Sequence, residues 1–307
     1  MRLLRSEFLR ARSRRLLPMV IIGGLIAIVV GLGIAAFYAQ KPTQAEIAQA
    51  QVSHQKNVER CEQKVDATQL PPGYDDVTSF CEDNWGPGFD GFLLRDLGAI
   101  LQGTATFVIL LGVLLGASLG GADWTANTMQ TLLTWEPRRI RVFLIRALVV
   151  GVCVFVITVF LQLVFVGVSF LVASTRGSTG FLPSTFWRTV SLTIGRVSLM
   201  ATALALVAYA VAMIGRSTVA SLGALFGYAI LFESVIAAFR PTVQGNLLIR
   251  AAIVVITHQP LIDEMHTVDF SHPVLLLDVS RAWMVVGFYT VVLGVLALVV
   301  FRRRDVT

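Results

Sequence analysis

Lysine is almost absent from this chain of 307 residues, which has 22 arginines but only Lys41, Lys56 and Lys64. None of these lysines follows a glycine-rich turn, so the sequence contains no GxxxxGK[ST] phosphate-binding loop. Charge of either sign is also scarce, at 14% of residues against about 25% in soluble proteins. The chain therefore does not hydrolyse ATP through such a loop, and its composition excludes an ordinary soluble protein.

Cysteine is rare as well, and the three residues occur in two settings. Cys153 lies inside an apolar run, whereas Cys61 and Cys81 share one polar segment. If that segment is extracytoplasmic, its oxidising surroundings favour a disulfide between the two. Two reduced, unpaired thiols are the alternative.

Apolar residues are abundant, at 55% of the chain with a mean hydropathy of +0.74. Runs of about 20 apolar residues predict an all-α integral membrane protein with six transmembrane helices. The formal net charge of +6 then reflects which loops lie on which side of the membrane, and no nucleic-acid partner is expected. The predicted spans are 17–39, 97–121, 140–173, 189–214, 218–239 and 282–301.

The densest arginine clusters indicate the cytoplasmic side. Residues 1–16 hold six arginines, one acid and a narrow apolar stripe, which predicts an amphipathic helix in the membrane interface. A secretory signal peptide is a weaker interpretation because the following apolar run is too long. The inner turn 215–217 and the tail 302–307 are also basic. We therefore expect both termini to be cytoplasmic.

Three segments are expected outside the membrane on the other face. Segment 40–96 is acidic, and we predict a helix over 43–65 followed by an irregular stretch rich in turn residues over 70–91. Segment 174–188 is a short outer loop. Segment 240–281 contains an apolar run too short to cross, which predicts a re-entrant or surface helix over 247–256.

Two features inside the spans suggest specific packing. Gly112, Gly116 and Gly120 form a small-residue stripe that favours close helix approach, with a pore-lining role as the alternative. Arg196 and Glu233 lie deepest in apolar runs, where an ionisable group needs a partner. They could pair, or face a shared polar cavity. Alternatively, Arg196 extends outward and Glu233 caps something local.

The outer segment before the last span gathers histidines and acids, which are potential metal ligands. The pattern contains no HExxH and no accompanying cysteine pair, so we predict no metal site. No nucleophile, base and acid have convincing spacing elsewhere, and no catalytic residue is assigned. The residues concerned are His258, His266, His272, Asp263, Glu264 and Asp269.

Segment 122–139 is a polar interruption between spans two and three. Asp123 is placed to cap a short amphipathic helix, and Pro137 suits the first turn of the next helix. Such a helix at the membrane surface could dock a soluble partner, or be an ordinary interfacial loop anchored by arginines. The residues assigned to this coupling segment are Trp124, Asn127, Thr128, Met129, Leu132, Leu133, Glu136, Pro137, Arg138 and Arg139.

The stretch ANTMQTLLTWEPRRIRVFLIRAL resembles the coupling region of permease subunits of type-2 ATP-binding-cassette exporters, where a pattern like "GT…LLT.P.SR.R…K" occurs. Asn127-Thr128 stand where that family often has Gly-Thr, and Leu132-Leu133-Thr134 where it has an apolar pair. The arginine-rich first helix, the six spans and the basic tail are also similar. The rest of the family pattern is matched by Pro137, Arg139, Arg141 and Arg146, with arginine in place of the frequent lysine.

The resemblance implies a transport subunit of the plasma (inner) membrane and not an enzyme. Two permeases, identical or related, would form an export path for a drug, peptide or lipid within the lipid bilayer. Each would place its coupling helix in a cytoplasmic ATPase dimer that holds ATP and magnesium, so no cofactor is expected on this chain. There are two alternatives. The chain could be a metal-dependent intramembrane enzyme that uses the outer histidines and acids, or it could be a membrane sensor or scaffold.

Overall fold

The protein is described from a computed structural model that covers residues 6–10, 15–38, 43–65, 76–84, 92–126, 128–135, 138–177, 179, 182, 185–262 and 275–303. Residues 6–10 form a helical segment. The helices that follow are α1 Leu16–Tyr38, α2 Gln44–Glu62, α3 Val77–Asn84, α4 Leu97–Thr125, α5 Thr128–Trp135, α6 Arg139–Arg176, α7 Phe186–Gly215, α8 Thr218–Gly227, α9 Ser234–Phe239, α10 Leu248–Thr257 and α11 Val279–Arg303.

Six helical stretches are long and apolar enough to cross a membrane, which confirms an all-α multi-pass membrane protein. Three of them are more than half buried inside the protein, at α4, α6 and α7, whereas the other three are buried by 17% or less. The stretches are Leu16–Phe37, Leu94–Thr125, Arg139–Arg176, Phe186–Gly215, Thr218–Ile236 and Val279–Arg303.

The chain divides into two units. The first comprises Met1–Ile22, Gln102–Leu161 and Thr193–Thr307, and the second comprises Gly23–Leu101 and Gln162–Leu192. The first contains α5 and α8 to α11, and the second contains α2 and α3.

In the first unit, α4 and α7 approach each other through the glycine stripe. A Cβ at Gly112 would lie 3.0 Å from the Ala201 carbonyl oxygen, and one at Gly116 would overlap the backbone of Ala205. At Gly120 the Cβ would lie 3.0 Å from the Tyr209 carbonyl oxygen. Within lipid no hydrophobic effect drives helices together, so they associate mainly through van der Waals contact, which close backbone approach increases. The stripe therefore forms a helix–helix contact.

The fifth span is not a regular helix. A π-helical segment, Tyr228–Glu233, joins α8 to α9, and a 3₁₀ turn, Pro241–Asn246, then leads into the short helix α10. Six of the ten α10 residues are buried, as expected for a helix that enters the bundle instead of lying on its surface. The sequence pattern did not predict the π-helical segment.

A two-stranded antiparallel sheet follows α10, pairing Leu261–Ile262 with Leu275–Leu277. The intervening residues lie outside the described chain. The strands were not predicted because their apolar residues, LI and LLL, are too few to show alternation.

In the second unit, a disulfide joins Cys61 at the end of α2 to Cys81 in α3, with 5.8 Å between the Cα atoms. Both cysteines are buried. The prediction of an irregular stretch over 70–91 is wrong for Val77–Asn84, which is helical. An eight-residue helix is marginal alone. The covalent link to α2 supplies the tertiary anchor that local sequence does not show.

The start of α2 is encoded locally. Thr43 accepts a hydrogen bond from the Glu46 backbone N–H, and the Glu46 carboxylate accepts one from the Thr43 N–H in return, which is a capping box. These bonds hold the pKa of Glu46 below its usual value. The helix end is thus fixed independently of the disulfide at its other end.

The α4–α7 contact can be tested at Gly116. Gly116→Val should lower the apparent melting temperature in detergent by at least about 5 °C, because the added side chain must displace the backbone of Ala205. The matched control is Gly103→Val in the same helix, where no described atom lies within 4 Å of the added Cβ. Equal melting temperatures for the two variants would contradict this contact.

The disulfide can be tested by counting thiols. Protein isolated from its membrane and denatured without reductant should accept one maleimide-polyethylene glycol adduct, at Cys153, because the other two cysteines are bonded. Prior reduction should raise the count to three, measured by gel shift. Three adducts without reductant would show that Cys61 and Cys81 are free thiols.

Candidate functional site

The first unit contains a buried ionic cluster centred on Arg146 of α6. Its Nε lies 3.3 Å from a Glu7 carboxylate oxygen, and its Nη2 forms an ion pair with Asp123 near the end of α4. Arg146 and Glu7 are each about 5% exposed. Glu7 also pairs with Arg10 at 3.3 Å, whose side chain is half exposed. Three separate segments of the chain therefore meet at one guanidinium.

A fourth segment joins through sulfur. Arg146 Nη1 lies 3.4 Å from Met129 Sδ, and Met129 is fully buried although α5 is only eight residues long. The Thr128 hydroxyl donates to the Asp123 carboxylate at 3.3 Å. The buried Met129 side chain and the Thr128 hydrogen bond therefore attach the first turn of α5 to α6 and α4.

The electrostatics explain why arginine occupies this position. Removing a charge from water costs several kcal/mol unless its hydrogen-bonding groups are satisfied. The guanidinium presents several donors in a fixed plane, and Arg146 directs Nε and Nη2 to two different carboxylates. With Arg10 beside Glu7, two cations face two anions. The cluster is formally neutral.

Beside the cluster, aromatic side chains join the ends of four spans. The Trp124 ring meets Phe301 of α11 edge-on with 6.1 Å between centroids, and Phe143 of α6 lies 6.2 Å from the same Phe301 ring. Phe143 also contacts Tyr209 of α7 at 5.4 Å. Trp124 Nε1 donates to Met213 of α7 at 3.5 Å. The helix ends around α5 therefore form one packed layer.

Two arginines make further contacts between these helix ends. Arg216, in the turn between α7 and α8, has a φ of 55° and places its guanidinium 4.9 Å above the Trp124 ring, in a cation–π contact. Arg139, the first residue of α6, donates to the Arg302 carbonyl at the end of α11. The start of α6 and the end of α11 are thereby tied together.

Two details of the predicted coupling segment are wrong. Asp123 does not cap a new helix, because α4 continues to Thr125, and its carboxylate instead binds Arg146 and Thr128. Trp124 consequently belongs to the last turn of α4 and does not share a helix with Met129. The neighbours of Asp123 in the sequence suggest a helix cap, but its carboxylate binds Arg146, which is distant in the sequence.

The remaining residues of the segment are placed as follows. Thr128 is exposed, Arg138 is exposed, and Arg139 is half-buried. Leu132 and Leu133 lie within the α5 helix, but their side chains fall outside the described part of the structure, as do Asn127, Glu136 and Pro137 entirely. The assignment of these five residues to a docking surface stays a prediction.

Sequence reasoning missed the roles of Glu7 and Arg146. Glu7 is the one acid among six arginines in the first 16 residues, and Arg146 stands seven residues, about 10 Å, inside the apolar α6. An isolated charge in an apolar run demands a partner. That signal was present, but nothing in the sequence pairs residues 139 positions apart.

Arg196 and Glu233 do not form an ion pair among the described residues. Glu233 accepts a hydrogen bond of 2.8 Å from the Ile249 N–H at the start of α10. Leu247, the N-cap residue of α10, has no side-chain group that can accept a hydrogen bond from the first N–H groups of the helix. Buried N–H groups at a helix start require acceptors, and a carboxylate there suits the helix dipole. Glu233 therefore caps α10.

The Arg196 charge instead acts on His258, the residue that follows α10. Burial lowers the pKa of His258, the Arg196 charge lowers it further, and Asp278 opposes the shift. Within the described residues, no group of three histidine, cysteine or acidic side chains is placed to hold a metal. The other members of the outer histidine and acid set, residues 263–272, lie outside the described chain.

No protein-family model matches the chain, and no curated protein is significantly similar to it.

The cluster makes a stability prediction. Arg146→Met should lower the free energy of unfolding by about 3–5 kcal/mol, because the buried Glu7 and the partly buried Asp123 lose the buried cation that they share. Adding Glu7→Gln to that variant should recover part of the loss by removing one of the two negative charges that Arg146 contacts. Denaturant titration of the purified protein measures both effects.

The matched control is Arg141→Met, an exposed position on the same helix, which should change stability by less than about 0.5 kcal/mol. A loss at Arg146 no larger than that at Arg141 would mean that the ionic cluster does not stabilise the fold.

Proposed function

We propose that this chain is the permease subunit of an ATP-binding-cassette exporter of the plasma membrane. A second permease, identical or related, would complete an export path for a hydrophobic or amphipathic substrate. A separate cytoplasmic ATPase dimer, holding ATP and magnesium, would supply the energy, consistent with the missing phosphate-binding loop. Segment 122–139, which contains α5, is its docking segment.

One observation carries the proposal: a single buried arginine joins α5 to two spans. Arg146 belongs to α6, pairs with Asp123 of α4 and contacts Met129 of α5. A force applied to α5 would therefore be transmitted to both spans at once. A loop that merely connected two helices would not require a buried arginine beside it, which is costly unless every group is satisfied.

The exposed side of α5 supports docking of a soluble partner. Thr128, Thr131 and Thr134 are exposed, and Arg138 follows them. Short polar side chains surround the positions of Leu132 and Leu133 in the sequence. An apolar anchor with a polar rim is the usual composition of a protein–protein contact.

The charges at this end support a cytoplasmic orientation. Arg216 lies over Trp124, and Arg139 contacts the backbone of Arg302, so basic residues from two connections and from the C-terminal end of α11 lie at this end of the spans. Positive residues on short connections favour the cytoplasmic side. In this orientation both termini and α5 face the cytoplasm, and the Cys61–Cys81 disulfide lies outside.

The mechanism follows from these connections. Closure of the ATPases would displace α5, and the Arg146 contacts would carry that displacement to α4 and α6. Because Gly116 of α4 touches the backbone of Ala205, α7 would move with α4. Tilting of this group of helices would open the path outward, as rigid-body motion about an interface does in other switching proteins.

The docking role can be tested by capture. The affinity-tagged chain, purified in mild detergent from its own cells, should retain a soluble ATPase that mass spectrometry identifies by its phosphate-binding loop. Leu132→Asp should reduce the retained ATPase by at least about tenfold, because a buried charge removes the apolar anchor of the contact.

Leu182→Asp is the matched control. It makes the same change at an exposed leucine in the loop between α6 and α7, which the proposed topology puts on the opposite side of the membrane. It should retain the ATPase fully. A wild-type chain that retains no ATPase would refute the proposed function, and equal loss in both variants would refute α5 as the docking segment.

A further inference from the structure

A cavity of about 200 Å³ lies within the first unit, between four of its elements. Its walls come from α4, α7, α8 with the π-helical segment, and α10. Representative lining residues are Ile109, Val113, Val207, Leu225, Ala252 and Ile256. All four elements are membrane-spanning helices or, for α10, packed among them.

The lining is almost entirely apolar. Among the described residues around the cavity, only Thr106 and Tyr228 carry a polar side-chain atom. The Tyr228 hydroxyl is already engaged with the Tyr289 hydroxyl at 3.4 Å. A polar or charged ligand would lose its hydrogen bonds to water here, and the Thr106 hydroxyl could replace very few of them. The chemistry of the walls therefore selects an uncharged hydrocarbon.

The cavity opens toward the lipid-facing surface. Leu110 of α4, Phe226 of α8 and Ile253 of α10 line it, yet their side chains are 45%, 48% and 46% exposed. At the other end Val207 and Ile256 are almost fully buried. The depression thus begins on the outer surface of spanning helices, where the surrounding medium is hydrocarbon, and ends inside the bundle.

One wall is held by the Glu233 cap. The carboxylate at the end of the π-helical segment bonds to the N–H of Ile249, which itself lines the cavity. The irregular segment and α10 are therefore fixed relative to each other at the site. The cavity therefore lies between two elements that a hydrogen bond joins.

We propose that this cavity binds one acyl chain of a bilayer phospholipid, which enters from the side between α4, α8 and α10. A chain in the cavity would fill space that otherwise leaves the lining side chains without contacts. The volume accepts part of one chain but not a protein helix, whose diameter is about 10 Å with side chains. The site does not depend on the proposed transport function.

The test uses the full chain in nanodiscs of phosphatidylcholine containing a small fraction of phosphatidylcholine with a diazirine in its acyl chain. After irradiation, adducts mapped by mass spectrometry should be at least about threefold more frequent on residues 225–229 and 248–256 than on the lipid-exposed face of α11, because an unfilled cavity costs free energy in proportion to its volume. Met284, Phe288 and Val291 of α11 give the baseline for ordinary lipid contact.

Ala229→Phe should reduce the cavity adducts to that baseline by filling the space, while α11 adducts stay constant. The matched control is Ile230→Phe, its neighbour in the π-helical segment, which is 63% exposed and does not line the cavity. This control should label like the wild type. If Ala229→Phe does not fold, as judged by size-exclusion profile, Ile253→Phe at the exposed mouth replaces it.

Three outcomes would overturn the proposal. The first is equal labelling of the cavity and α11, and the second is cavity labelling that persists in a folded filling variant. The third is labelling by a free diazirine fatty acid but not by the phospholipid, which would exclude a bilayer phospholipid as the source. Unchanged labelling when an anionic headgroup replaces choline would support recognition of the chain alone.

Discussion

A buried guanidinium must be neutralised and fully hydrogen-bonded, and the end of the bundle next to α5 is arranged around that requirement. Arg146 draws Glu7 from the N-terminal segment, Asp123 from the end of α4 and Met129 from α5 into one contact. Without it, each of these segments would have its own conformational freedom. The position of α5 is therefore a consequence of charge satisfaction as much as of its apolar residues.

The membrane-spanning elements were predictable from sequence because their signal is long and local. About 20 consecutive apolar residues suffice to identify a span, and four-residue spacing places Gly112, Gly116 and Gly120 on one face. Their contact with α7 follows from that face. The short apolar run after the fifth span likewise predicted α10, whose length is read directly from the sequence.

Pairings between distant residues were not predictable. Glu233 was expected either to meet Arg196 or to cap something local, and only its three-dimensional placement selects the start of α10. Asp123 looked like a helix cap because its neighbours in sequence suit one, yet Arg146 takes its carboxylate. The helix over Val77–Asn84 is joined to α2 by a disulfide between residues 20 positions apart. In each case tertiary structure overrides a local preference.

The glycine contact between α4 and α7 has a further consequence for how this protein can change shape. Side chains can switch rotamers to accommodate sliding helices, but Gly116 and the Ala205 backbone offer no rotatable groups at their point of contact. The spacing between these two axes is consequently fixed by main-chain atoms. Any large relative displacement would therefore be expected of the sparsely buried helices α1, α8 and α11, with α4 and α7 moving together.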